Sequence, residues 1–324
     1  MSPWKLQSSL AVEIQNFINL RRLSGTDYQS QVQLLGYFDR FLFEQQWSEL
    51  RISREITDSY QQSLSHLAPR TRSNRFSVLR QLCQYLTRSN PYGYVPEPLR
   101  VIPSQGAHPP YIYGHSEIHA LLTAASKLPP STSLRPHTYR TLLGLLYSTG
   151  IRIGEALALN IENFQSAEQR LYIAQGKFRK ARWIPLSTST CRALQYYLHK
   201  RLKMRPRSPD SPLLLNQRSC RLTHCTVHQT FHYLLRQCGI RHGKLTGPRI
   251  HDLRHTFAVH RLLAWYRDGQ DLNSRLPWLA TYLGHVDIHS TQVYLQATPE
   301  LIAQVSRRFY NHYLHLVKPQ GGTP

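Results

Sequence analysis

The sequence is poor in acidic residues. Asp and Glu together number 18 in 324 residues, against 40 Lys and Arg, which leaves a formal net charge of +22. A surface with this excess of positive charge favours an anionic partner, and nucleic acid, an anionic membrane and an acidic protein are the three candidates. The sign of the charge alone does not choose among them.

Long apolar runs are also missing. No stretch of 18 or more apolar residues is present, so a membrane-spanning helix is not expected. Residues Met1 to Leu10 lack the basic-then-apolar pattern of a signal peptide. We therefore expect a cytoplasmic protein that has no membrane partner.

Cysteines are few, and no two of them form a C-x-x-C pair, so neither a disulfide framework nor a zinc ribbon is indicated. Three histidines, His224, His228 and His232, repeat at i, i+4 and i+8 beside Cys220 and Cys225. Structural zinc sites usually draw their ligands from two separated pairs, and apolar residues at helical spacing run through the same stretch. We expect no metal ion and no cofactor, with zinc at this cluster as the open alternative.

The chain is predicted to form two domains. From Leu10 to about Leu86, apolar residues recur at intervals of three and four, which predicts a small bundle of helices. Six prolines then fall between Pro91 and Tyr113 and break the pattern. We predict a helical domain over residues 1–105 and a second domain over 106–324. The second part is the more basic, because residues 101–324 carry +18 and residues 1–100 only +4.

The second domain is predicted to be helical with a small β-hairpin, so the fold class is mainly α with an α+β second domain. His137 to Gly150 has the pattern of a buried helix, and Arg170 to Pro185 alternates like a hairpin around a basic turn. The basic segment His199 to Pro209 is interpreted as a solvated loop or frayed helix end. Near the C-terminus, Pro299 to Leu316 is predicted to be an amphipathic helix.

Several basic and titratable residues suit phosphodiester chemistry. Transfer of a phosphodiester requires a nucleophile in line with phosphorus, cations on the non-bridging oxygens and an acid for the departing oxygen. Arginine suits the second task, because its planar guanidinium donates two hydrogen bonds to phosphate and stays charged at any working pH.

Taken in order, five segments of the chain resemble those of the tyrosine site-specific recombinases of the phage-integrase type. The segments are TGIRIGEALAL around Arg152, GKFRKARWIPL around Lys177, HDLRH with His251 and Arg254, YLGH ending at His285, and Tyr294 nine residues later. They lie within residues 137–300. Each segment alone is common in proteins, and their order and spacing carry the resemblance.

The resemblance implies a role for each of these residues. Arg152 and Arg254 would clamp the scissile phosphate, and His251 and His285 would hydrogen-bond it and assist proton movement. Lys177 would protonate the leaving 5′-oxygen, although Arg179, Lys180 and Arg182 share its hairpin. Tyr294 would attack phosphorus to give a 3′-phosphotyrosyl intermediate without a metal ion or ATP. The alternative for Arg152 is an ion pair with Glu155.

The resemblance also implies partners and an architecture. The first domain would bind the DNA core site and clamp a duplex together with the catalytic domain, and the enzyme would work as a homo- or hetero-tetramer on two specific double-stranded sites. The C-terminal helix would dock on a neighbouring subunit or pack on its own domain. The inserted segment WYRDGQDLNSRLPWLATYLGH resembles the branch found on transposons and plasmids. A type IB topoisomerase and a catalytically silent DNA-binding regulator are the alternative functions.

Overall fold

The structure is a computed structural model that describes residues 5–25, 28–99, 110–174, 181–204, 211–240 and 247–284. By its internal contacts the chain divides into two compact units, Met1–Ala107 and His108–Pro324. In the described part, no helix is long and apolar enough to cross a membrane. The fold class predicted from the sequence is confirmed, since the described residues are mostly helical and form one small antiparallel sheet.

The described part of the first unit consists of helices. Their bounds are α1 Ala11–Leu23, α2 Gln29–Glu44, α3 Arg54–Ser63 and α4 Pro69–Leu86. Pro69 occupies the first turn of α4, where its missing N–H removes no helical hydrogen bond. Apolar faces of α1, α2 and α4 pack together, with Ile14, Phe38 and Leu82 almost fully buried. The periodicity that predicted a helical bundle is therefore realised.

The second unit is built around one buried helix. Its helices are α5 His115–Ser126, α6 Arg135–Thr149, α7 Ile153–Ala158, α8 Thr188–Met204, α9 His224–Gln237, α10 Asp252–Arg267 and α11 Leu272–Leu283. Helix α6 packs against α5, α7, α8 and α10, and it corresponds to the buried helix predicted over His137 to Gly150. It ends at Gly150, whose φ of 62° lies in the left-handed region. A side chain there would also clash with the ring of Phe257.

The sheet of the second unit has three antiparallel strands in the order β1 Phe164–Gln165, β2 Arg170–Ile173 and β3 Arg182–Pro185. Strands β2 and β3 form the two ends of the predicted hairpin, while β1 was not expected. Leu171 pairs with Ile184 on the inner face, and both side chains are fully buried. On the outer face, the Arg170 guanidinium lies 4.1 Å from the Trp183 ring centroid.

One expectation for the second unit is wrong in part. The run of basic residues from His199 to Pro209 predicts a solvated loop or frayed helix end, but α8 continues regularly to Met204. Arg201 is only 2% exposed, and its Nε donates to the carbonyl oxygen of Pro212 at 3.2 Å. The rest of the segment, residues 205–209, lies outside the described residues.

Candidate active site

Arg152 stands at the N-cap of α7, the short helix that follows the end of α6. Glu155, three residues later, accepts the Arg152 backbone N–H at 2.9 Å and the Arg152 Nη1 at 3.0 Å. The Glu155 carboxylate therefore fixes both the start of the helix and the arginine side chain. Arg152 Nη2 donates to the carbonyl oxygen of Gly284 at 3.1 Å. The ion pair considered from the sequence is present, and it directs the guanidinium towards the end of α11.

Arg254 lies in the first turn of α10 and is 2% exposed. Its Nη1 donates to the carbonyl oxygen of Gly150, and its Nη2 donates to that of Leu283, both at 2.7 Å. Gly150 caps α6, and Leu283 is the last residue of α11. The C-terminal carbonyls of helices carry partial negative charge. Two helix ends thus stabilise this buried cation.

The C-terminus of α11 is the meeting point of three arginines. The carbonyl oxygens of Tyr282, Leu283 and Gly284 accept, in that order, from Arg182 Nε at 3.1 Å, Arg254 Nη2 at 2.7 Å and Arg152 Nη2 at 3.1 Å. We call these three carbonyls and three guanidinium groups, together with the Glu155 carboxylate that contacts Arg152 and Arg182, the arginine hub. The hub therefore joins α7, β3 and α10 to the end of α11, and His285, a predicted site residue, is the next residue in the sequence after Gly284.

Glu155 is the carboxylate of the arginine hub. Arg182 Nη1 and Nη2 donate to its two oxygens at 3.0 and 2.8 Å, so that Glu155 is shared between Arg182 and Arg152. Burial alone would raise the pKa of Glu155, but the hydrogen bonds and positive charges of the two arginines outweigh burial and lower it. With Arg254 included, the hub contains three cations and one carboxylate. The hub keeps a surplus of positive charge, which suits an anionic ligand.

His251 precedes α10 and is exposed. The backbone N–H of Arg254 donates to the carbonyl oxygen of His251 at 3.0 Å, so His251 lies one helical turn from an arginine of the hub. Partial desolvation of the ring lowers the pKa of His251 below the ordinary value, and the positive charge of Arg254 lowers it further. The charges of Arg152 and Arg249 lower the pKa by smaller amounts, whereas the negative charge of Asp252 raises it. At neutral pH the ring is therefore uncharged and can both donate and accept a hydrogen bond.

The structure brings together Arg152 and the pair His251 and Arg254, which come from two separate stretches of the chain. Lys177, His285 and Tyr294 lie outside the described residues, as does the predicted C-terminal helix. Sequence reasoning treated Arg182 only as a rival of Lys177. A signal for its true environment was available, because alternation along β3 places Arg182 on the same inner face as the buried Ile184.

All of the histidine and cysteine cluster except Cys220 lies on α9. His224, His228 and His232 are exposed on its outer face, and the rings of His224 and His228 are stacked with centroids 6.5 Å apart. Within the described ranges, no group of three or more His, Cys, Asp or Glu side chains is arranged to hold a metal ion. The alternative of a zinc site therefore has no support from the described part of α9.

Comparison with known proteins assigns the chain to a family. Residues 113–300 match the model of the phage integrase family. "Putative integrase/recombinase y4rB" of Sinorhizobium fredii is 34% identical over 93% of this chain and 97% of its own length. Tyrosine recombinase XerD of Caulobacter vibrioides is 31% identical over 78% of this chain and 79% of its own length.

Solved structures share the fold at lower identity. The Tn1549 transposon integrase in complex with transposon right end DNA has a TM-score of 0.65 and 16% identity, with 92% of this chain and 99% of that chain covered. The chain belongs to the phage integrase family, and it is a site-specific tyrosine recombinase.

Proposed function

We propose that this recombinase cuts and rejoins double-stranded DNA at specific sites, with the scissile phosphate bound at the arginine hub. The observation that carries the proposal is the convergence of Arg152 and Arg254 on the end of α11, with His251 beside them. A guanidinium has five N–H donors, and the described contacts of Arg152 use two of them. The remaining donors suit the non-bridging oxygens of a phosphate.

The roles of the remaining site residues follow the family. Tyr294 loses its phenolic proton and attacks phosphorus, which breaks the bond to the 5′-oxygen and forms a 3′-phosphotyrosyl bond. Lys177 supplies the proton to the departing 5′-oxygen, while His251 and His285 hydrogen-bond the phosphate. A 5′-hydroxyl reverses the step and releases Tyr294. The phosphotyrosyl bond conserves the energy of the phosphodiester, so that rejoining requires no ATP.

The DNA partner accounts for the charge of the chain. Between Glu168 and Asp252 the sequence contains one acidic residue, Asp210, among many basic ones, so this stretch favours contacts with phosphates. We propose that residues 1–105 form the core-binding part of the DNA clamp and that the C-terminal helix over Pro299 to Leu316 contacts a neighbouring subunit. The active assembly would be a homo- or hetero-tetramer on two synapsed sites, in the cytoplasm and associated with the nucleoid. The proposed source is a transposon or plasmid.

A nicked substrate tests the nucleophile. On a duplex with a nick just 3′ of the cleavage position, the released fragment diffuses away and the covalent adduct accumulates. Wild-type protein should form the adduct, and Tyr294→Phe should bind DNA with unchanged affinity but form none, because only the attacking hydroxyl is lost. The matched control is Tyr92→Phe, which changes a side chain that is 87% exposed and should leave the adduct yield unchanged.

The alternative functions give different products. An adduct in Tyr294→Phe would assign the nucleophile to another tyrosine. Absence of an adduct in wild type on its own site would support a silent DNA-binding regulator. Relaxation of supercoils without recombinant products from a two-site substrate would indicate a type IB topoisomerase.

A further inference from the structure

Arg182 is the arginine of the hub to which the mechanism assigns no task. It is the first residue of β3, and its side chain is 13% exposed. Three of its five N–H donors are used within the hub, two by Glu155 and one by the carbonyl oxygen of Tyr282. A guanidinium held in this way keeps its proton and its orientation. It is therefore suited to holding other groups in place and unsuited to proton transfer.

Two routes connect Arg182 to Arg152. In the first, Glu155 is 4% exposed and receives both arginines, so the position of its carboxylate depends on Arg182 as well as on Arg152. If Arg182 were removed, the buried Glu155 would lose a bidentate partner and would shift towards Arg152, its remaining cation, or towards water. Arg152 would then change its orientation with it.

The second route passes through the end of α11. Gly284 has a φ of 67°, and a Cβ on it would lie 3.0 Å from the Arg182 Cζ, so the guanidinium packs directly against the backbone at this position. The carbonyl oxygen of the same residue accepts from Arg152 Nη2. Arg182 therefore also determines where that acceptor lies. Both contacts of Arg152 in the hub depend on this one neighbour.

We infer that Arg182 is a positioning residue that holds Arg152 in its phosphate-binding orientation through Glu155 and Gly284. The inference rests on the proposed function, in which Arg152 binds the scissile phosphate. Arg182 also joins β3 to the arginine hub, through Glu155 and the carbonyl oxygen of Tyr282.

The first test measures the rate of adduct formation on the nicked duplex with DNA-saturated protein. Arg182→Gln should reduce this rate by about 100-fold, the effect expected when a catalytic group is displaced by roughly 1 Å. DNA affinity should stay within about threefold, because the phosphate contact of the displaced Arg152 is only one of many contacts between the protein and DNA phosphates. Arg182→Lys keeps the charge opposite Glu155 and should recover part of the rate. Unchanged cleavage in Arg182→Gln would overturn the inference.

A double-mutant cycle shows whether Arg182 acts through Arg152. In an Arg152→Ala background there is no guanidinium left to position, so adding Arg182→Gln should change the cleavage rate by no more than about twofold. If the two substitutions instead multiply in full, Arg182 acts independently of Arg152 and the inference is wrong. The double variant is compared with Arg152→Ala at saturating DNA, so that binding does not enter.

Arg221 provides a matched control, because like Arg182 it is a partly buried arginine with several hydrogen bonds inside the protein. Its Nη1 donates to the carbonyl oxygens of Leu157 and Leu159, and its Nη2 donates to Asn160, at the opposite end of α7 from Arg152. Arg221→Gln should lower the melting temperature without the 100-fold loss of rate. If it loses rate as severely as Arg182→Gln, the effect is general destabilisation and the inference fails.

Should Arg182→Gln fail to fold, Gly284→Ala gives a second route, because the added methyl group displaces the guanidinium while Arg182 remains. It should slow cleavage and leave DNA affinity unchanged, and an unaltered rate would overturn the inference. The two proposals fail separately. If wild type forms no adduct, the proposed function is wrong, whereas an active wild type with an equally active Arg182→Gln contradicts only the positioning role.

Discussion

The two units of the chain differ in how they bury charge. In the described part of the first unit, the buried charged residue is Asp39, whereas the second unit buries Glu155, Arg201, Asp252 and Arg254. Asp39 accepts from the backbone N–H of Gln7 at 2.8 Å, and from the N–H and hydroxyl of Ser8 at 3.1 and 2.6 Å. All three donors belong to the segment before α1. The described contacts of Asp39 therefore hold this segment against α2.

The second unit uses buried charge differently. A buried ion is costly unless hydrogen bonds and opposite charges compensate it, and the arginine hub supplies these from helix ends and one carboxylate. With three guanidinium groups and one carboxylate, the hub retains a net positive charge. Arg201 shows that burial alone does not identify a site, since its described hydrogen bond is to the carbonyl oxygen of Pro212, which is not part of the hub. Convergence of several cations on one place is the informative feature.

The strongest test of this difference is Arg254→Ala. Its loss removes a phosphate-binding cation and leaves the carbonyl oxygens of Gly150 and Leu283 without this donor. We expect adduct formation on the nicked duplex to fall by about 1000-fold, the loss typical for removal of a key electrostatic contact. Arg254→Lys restores the charge without the two-armed geometry and should recover only a small part. If the rate falls less than tenfold, the hub is structural in the same sense as Asp39.

Much of the fold could be predicted from local patterns. Helix α6 is predictable because apolar residues and the terminal Gly150 lie within one short stretch, and the hairpin because Leu171, Ile173 and Ile184 recur at strand spacing around a basic turn. The short strand β1 has two residues and no pattern of its own, so it became visible only through its pairing with β2. Arg201 was misjudged because a run of basic residues carries no sign that one of them turns inward.

The site was predictable only where motifs carry it. Arg152, His251 and Arg254 follow from the family segments, and the structure brings them together. The hub itself was not predictable, because Arg182 pairs with Glu155 at a separation of 27 residues and with Tyr282 at 100. Two further hub acceptors, Leu283 and Gly284, contribute backbone carbonyls, and any residue type offers the same group. Long-range contacts to backbone leave no local signature in a sequence.

The second prediction concerns the first unit. Asp39→Ala should lower the free energy of unfolding by about 2 kcal/mol, because the buried donors of Ser8 and the backbone N–H of Gln7 lose a charged acceptor. Urea unfolding of the full chain, followed by circular dichroism, measures this loss. Asp39→Asn keeps one oxygen acceptor and should lose less. At saturating DNA the cleavage rate of both variants should match wild type. A rate loss comparable to that of Arg254→Ala would remove the proposed distinction between the two units.

The smallest expected effect is a pH dependence from His251. Its pKa is below the ordinary value of 6.5, so the folded protein takes up this proton only at more acidic pH than the unfolded chain does. Two consequences follow as the pH falls. Stability contributed by the neutral ring begins to be lost near pH 6.5 and is fully lost below the folded pKa. Cleavage depends on the folded protein, so its rate should stay constant as the pH falls from 8 through 6.5 and decline only near the lower, folded pKa, by at most about tenfold per pH unit, as expected for one proton.

Two variants connect this acid limb to His251. His251→Gln keeps a hydrogen-bonding side chain that does not titrate, so the rate should be lower overall and the limb should disappear. Arg249→Gln removes a cation that lowers the pKa of His251, while the opposing charge of Asp252 remains. The acid limb should therefore move to higher pH in Arg249→Gln, because the protonated ring is less disfavoured. Single-turnover rates on the nicked duplex between pH 5 and 8 provide the measurement. A limb that persists in His251→Gln, or that moves to lower pH in Arg249→Gln, would assign the titration to another group.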